Sequence, residues 1–204
     1  MRWSRARFDT PGLPPGYSVS MTVKLDSKKQ WISHVRRVKS PNYDDRPVET
    51  DISLIVIHGI SLPPREYGHR YIDQLFTNTL DPDQHPYFRE IQHLRVSTHL
   101  LIDRGGAITQ YVPFDKRAWH AGESSFEGCV ACNDFSIGIE LEGCDDEPYE
   151  PAQYAKLAKI VQSLMAAWPL ITRHRITGHS DIAPLRKTDP GPAFDWECFY
   201  NLLD

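Results

Sequence analysis

The run Ser53-Leu54-Ile55-Val56-Ile57-His58-Gly59 restricts the fold more than any other stretch. Four large apolar residues follow one another with no polar alternation, and three of them are β-branched. Such a run predicts a short strand covered on both faces. The run closes on His58-Gly59. A histidine at the end of a central strand, followed by glycine, is placed to present a ring nitrogen at the sheet edge. A hydrogen-bonded core histidine is the commoner fate of such a residue.

The rest of the chain supplies partners for that strand. Val96 to Ile102 reads as a second strand. Arg104-Gly105-Gly106 is a turn signal, and Ala107 to Val112 is the return strand of a hairpin. Phe135 to Gly143 is a further strand, in which Gly138, Glu140 and Glu142 share one face by the period of two. If that strand is central and faces a pocket, its glutamates have perturbed pKa values and are acid or base candidates; if it is an edge, they are merely solvated. Pro151 to Trp168 is the clearest helix, with Tyr154, Leu157, Ala158, Val161, Leu164, Met165 and Trp168 on one face, Pro151 in its first turn and Pro169 beyond its end. That stripe is core. Trp196 to Leu203 predicts a last short helix.

Residues 59–93 form a long excursion broken by Pro63-Pro64 and Gly68, with short helices expected at Tyr71–Phe76 and Tyr87–His93. An insertion of this length beside a site serves as a lid or a substrate wall. Upstream, residues 36–43 read as an extended arm and Asp44-Asp45-Arg46-Pro47 as a turn. The order of elements predicts an α/β fold, a single domain with a central mixed β-sheet flanked by helices. Residues 1–30, rich at their start in Pro, Gly, Ser and Arg, are expected to be a poorly ordered extension to a domain spanning 31–204.

Composition narrows the function. The formal net charge is −4, whereas a nucleic-acid binder normally carries a basic patch or stripe. No apolar run approaches the ~18 residues of a membrane span. The basic start Met1 to Arg7 is followed by no apolar segment, so a cytoplasmic location is the default. Cys129-Val130-Ala131-Cys132 offers half a zinc site or a redox pair, but no second such pair exists. Reduced cysteines in a surface loop are therefore expected.

One stretch concentrates chemistry: Thr177-Gly178-His179-Ser180-Asp181-Ile182-Ala183-Pro184-Leu185-Arg186-Lys187-Thr188-Asp189-Pro190-Gly191. Its prolines and glycines predict a loop held in a specific shape rather than a plain helix or strand. Taken with the strand histidine, His58, His179 and Asp189 suit a zinc ion with an open coordination position. A metallohydrolase also needs a base to orient water and a cation or donor for the developing oxyanion. Glu140 fits the first role and Lys187 the second. On spacing alone His69, His85, His93, His99, His120 and His174 compete as ligands.

Resemblance adds to this. His58 to Pro64, Val96 to His99, Gln110 to Gly122, Asn133 to Gly143 and Thr177 to Trp196 together resemble the AmpD family. Its members are cytosolic 1,6-anhydro-N-acetylmuramyl-L-alanine amidases, within the superfamily of zinc amidases and peptidoglycan recognition proteins. The similarity runs from about Trp31 to Trp196. It implies Zn²⁺ held by His58, His179 and Asp189, and Glu140 with Lys187 as the catalytic pair. It implies hydrolysis of the amide between anhydro-N-acetylmuramic acid and L-alanine in a small recycled muropeptide, by a protein expected to be a monomer. It also implies substrate contacts at Arg95, Gly59 and Ala118, and an orienting role for His120. Two departures stand out: Gly59 where the family usually has Asn, and Ala131 where members often carry Arg. The alternatives are a non-catalytic peptidoglycan-binding module of the same fold, an amidase acting on intact cell wall, and a structural zinc at Cys129 and Cys132.

Overall fold

In chain order the strands are β1 (Arg36–Arg37), β2 (Tyr43–Asp45), β3 (Leu54–Ile60), β4 (Leu100–Ile102), β5 (Ile108–Gln110), β6 (Lys116–Ala118), β7 (Ser125–Phe126), β8 (Cys129–Val130), β9 (Ser136–Glu142) and β10 (Ile176–Gly178). The helices are α1 (Tyr71–Phe76), α2 (Pro86–Ile91), α3 (Pro151–Ala167), α4 (His179–Ile182) and α5 (Trp196–Leu203). The computed structural model describes residues 23–203, so the expected extension up to residue 22 lies outside the described residues.

The six-stranded sheet has the order β1-β5-β4-β9-β3-β10. Strands β4, β9, β3 and β10 are mutually parallel, and β5 runs antiparallel to β4, which makes the sheet mixed. Strand β3 lies between β9 and β10, and Leu54 to Ile57 are fully buried, as a run without polar alternation requires. Strand β9 is also central, so Glu140 and Glu142 are buried and not solvated at an edge.

One face of the sheet is apolar. Ile55, Ile57, Ile137, Ile139 and Leu141 meet Tyr154, Leu157, Ala158, Val161 and Leu164 of α3, with Phe199 of α5 behind them. Helix α3 starts where Pro151 needs no backbone donor and where the Gln153 side chain accepts from the Glu150 N–H at 3.0 Å. The Gln153 amide also donates to the carbonyls of Glu142 (3.0 Å) and Ile102 (3.2 Å), locking the helix start onto the strands.

Several boundaries differ from expectation for identifiable reasons. Asp44 and Asp45 belong to a strand and not a turn, because β2 pairs antiparallel with β6 and sets Asp44 against Arg117 and Asp45 against Lys116. The hairpin strands β4 and β5 are shorter than the apolar runs that announced them. The Thr177–Gly191 stretch is not all loop. Thr177 and Gly178 finish β10, and one helical turn follows, where the Asp181 carboxylate accepts from the Gly178 N–H and the Thr177 hydroxyl, each at 2.9 Å. Residues 23–30, expected in the extension, belong to the body: Leu25 bridges to Ile32, and Val23 and Leu25 pack on the core. Cys132 is buried, not in a surface loop, and all four cysteines are free. Among the described residues no helix is long and apolar enough to cross a membrane.

Candidate active site

Register builds the site. Parallel pairing sets His58 of β3 directly opposite Glu140 of β9, so both project from the same face. Gly178 of β10 pairs with Ile57, which brings the next residue, His179, level with His58. The stretch then returns, and the backbone N–H of Ser180 donates to the Asp189 carbonyl at 2.9 Å. Three donor atoms converge. His58 Nδ1 and His179 Nδ1 are 3.0 Å apart, and Asp189 Oδ2 lies 3.1 Å from each.

That triangle fits a metal. Bonds of about 2.0–2.1 Å at tetrahedral angles place ligand atoms roughly 3.3 Å apart. Among the described residues these three form the His/Cys/Asp/Glu group able to hold an ion. The protonation pattern agrees. His179 Nε2 faces the Ala121 carbonyl at 3.0 Å, so Nε2 carries the hydrogen and Nδ1 keeps its lone pair. His58 Nε2 lies 2.9 Å from His120 Nδ1, and His120 Nε2 lies 3.0 Å from the Ser136 hydroxyl. With His58 Nδ1 left free as a donor to metal, the proton order is fixed: His58 donates to His120, which donates to Ser136. Burial pushes the His58 pKa down to about 4, which favours the neutral, ligating form.

Room for this network comes from Gly138. A Cβ there would stand 2.5 Å from His120 Cγ, so glycine leaves the space that the ring occupies. His120, read from sequence as an orienting residue, thus touches His58 directly. Ser136, Gly138 and the Ala121 carbonyl were not singled out as supports, and no local pattern marks them. They matter only through contacts made by distant segments.

Glu140 is buried, and among the described residues its Oε2 has no hydrogen-bond partner. Burial raises its pKa well above the ordinary value, the nearby Asp189 charge adds to this, and Lys187 opposes it. A buried carboxyl with an idle oxygen beside three metal donors is a proton-transfer group in waiting. Its neighbour Glu142 is different: both its oxygens are engaged, by the N–H groups of Gly68 (2.7 Å) and Arg104 (3.2 Å).

These groups open into a cavity of about 540 Å³ that includes His58, Gly59, Glu140, His179, Lys187 and Asp189. Its lining includes the apolar Leu62, Leu75, Phe76, Tyr87 and Ile91 of the 59–93 excursion, which therefore forms part of the wall, and the polar Ser61, Arg65, Asp145 and Asp146. The expected substrate positions are not all brought together. Gly59 lines the cavity. Arg95 is exposed outside it, its guanidinium turned back to the carbonyls of Gln92 (3.1 Å) and Leu94 (3.0 Å). Ala118 does not line it either, because β6 buries it in a second apolar cluster with Tyr111 and Val112.

A mixed sheet with helices on its faces and a His/His/Asp donor group at the carboxyl ends of parallel strands defines an α/β scaffold suited to metal-assisted hydrolysis. Comparison with known proteins makes the assignment specific. Residues 48–192 match the family model described as N-acetylmuramoyl-L-alanine amidase. The 1,6-anhydro-N-acetylmuramyl-L-alanine amidase AmpD of Escherichia coli (strain K12) is 59% identical over 173 residues, 85% of this chain and 94% of that protein. The crystal structure of a Se-Met AmpD derivative superposes with a TM-score of 0.85 at 57% identity, covering 89% of this chain and 99% of that one. The complex of the amidase AmiD from E. coli with anhydro-N-acetylmuramic acid-L-Ala-D-gamma-Glu-L-Lys gives a TM-score of 0.54 at 30% identity, over 77% of this chain and 60% of that one. This chain belongs to the N-acetylmuramoyl-L-alanine amidase family.

Proposed function

We propose that the protein is a zinc amidase of cytoplasmic peptidoglycan recycling. It hydrolyses the bond between the lactyl group of (1,6-anhydro-)N-acetylmuramic acid and L-alanine in small muropeptides, acting as a monomer. The observation that carries the reading is Glu140, a buried carboxyl with an unpartnered oxygen beside the His58, His179 and Asp189 donors. The names of the relatives supply the substrate class.

His58, His179 and Asp189 would hold the ion. Zinc bound there supplies Lewis acidity, polarising a carbonyl and making a water acidic at neutral pH. Glu140 would orient the attacking water and take its proton, a role its raised pKa favours. It then passes the proton to the leaving alanine nitrogen. Lys187, exposed on the cavity wall, gives its positive charge to the developing oxyanion. Gly59 lines the substrate space. Ala118 supports the wall from behind.

Zinc-loaded protein is incubated with anhydro-muropeptide and, separately, with intact sacculus, and free stem peptide is measured. Release from the muropeptide that stops on chelation is expected; equal release from both substrates overturns the recycling assignment. Lys187→Ala should lower kcat by about 10²–10³-fold while zinc stays bound. Near-full activity in that variant overturns the role given to Lys187.

A further inference from the structure

Tyr149 is almost fully buried on the α3 side of the sheet, yet it is tied to the site. Its hydroxyl donates to the carbonyl of Pro190 at 2.9 Å, the residue after Asp189. Asp189 is therefore bracketed: Ser180 N–H holds its own carbonyl at 2.9 Å, and Tyr149 holds the next one. Two glycines make room for the ring. A Cβ at Gly143 would lie 2.4 Å from Tyr149 Cε1, and a Cβ at Gly59 would lie 2.2 Å from Tyr149 Oη and 3.5 Å from Pro190 Cα. In this chain Gly59 leaves open the space through which the hydroxyl reaches Pro190.

Resting on the zinc reading above, we infer that Tyr149 is a positioning residue for the metal ligand Asp189, acting through the Pro190 carbonyl.

The test uses the whole protein in two forms, wild type and Y149F. Zinc affinity is measured by competition with a chelator, melting of the metal-free forms is followed alongside, and kcat and KM are taken on anhydro-muropeptide. Supporting groups behind metal ligands typically change affinity by about 10–100-fold. Y149F is expected to weaken zinc by roughly tenfold, with kcat falling more than KM changes. Wild-type zinc affinity in Y149F overturns the inference, including the case where only melting of the metal-free form shifts. Wild-type protein that takes up no zinc overturns this inference together with the reading it rests on.

Discussion

The two faces of β3 and β9 are built from alternate residues of the same strands, and they obey opposite rules. On the α3 side, Ile55, Ile57, Ile137, Ile139 and Leu141 are buried among aliphatic and aromatic side chains. On the other side, His58, Ser136, Glu140 and Glu142 are buried too, together with His99, His120 and His179 from neighbouring segments. The first face stabilises through area removed from water. The second keeps polar groups dry only because nearly every atom has a partner. His99 accepts from the Gly138 N–H at 3.0 Å and donates to the Lys116 carbonyl at 3.0 Å, while Arg46 donates to the carbonyls of Phe114, Asn133, Asp134 and Ser136. The idle Oε2 of Glu140 departs from that satisfaction. One residue of register separates a packing position from a chemical one, and the chemical face is recognised by where satisfaction stops.

The contrast can be broken face by face. The largest effect should come from Glu140→Gln, which keeps the shape and removes the base. Turnover of anhydro-muropeptide is expected to fall by about 10²–10⁴-fold, while a denaturant titration finds the metal-free protein no less stable, since a buried carboxyl is replaced by a neutral amide. Retained turnover would remove Glu140 from the mechanism. Next comes Leu157→Ala on the opposite face. A fully buried leucine there should cost about 2–5 kcal/mol, with kcat per folded molecule unchanged. A large loss of kcat at full stability would mean that the two faces are not separable.

The smallest effect concerns the polar face and pH. Burial, and then the Arg46 charge, push the His99 pKa down to about 3 from an ordinary 6.5. Between those values the unfolded chain binds a proton that the folded chain refuses, so stability falls as pH drops through that window and is intact above it. Urea midpoints measured from pH 7 to pH 4 should therefore fall less steeply for His99→Gln than for wild type. Parallel slopes would show that His99 does not carry the acid sensitivity of this face.

Much of this was legible in the residues themselves. The unbroken run Leu54 to Ile57 required cover on both faces, and the stripe on α3 required a sheet to lie against; both are local periodicities, and local periodicity is what a sequence displays. The strand glutamates and the Pro- and Gly-broken stretch marked the chemical segments for the same reason. What the sequence left open was decided through space. On spacing alone six other histidines competed with His58 and His179, which only the family resemblance singled out; register and the returning loop bring those two together with Asp189. Arg95 and Ala118 looked equivalent to Gly59 as substrate positions, but one turns outward and the other is buried behind the wall. Tyr149 carried no signal, because its importance lies in a contact across 41 residues with Pro190. Such contacts depend on packing distances of a few tenths of an ångström between segments far apart in the chain, and no one-dimensional pattern encodes those.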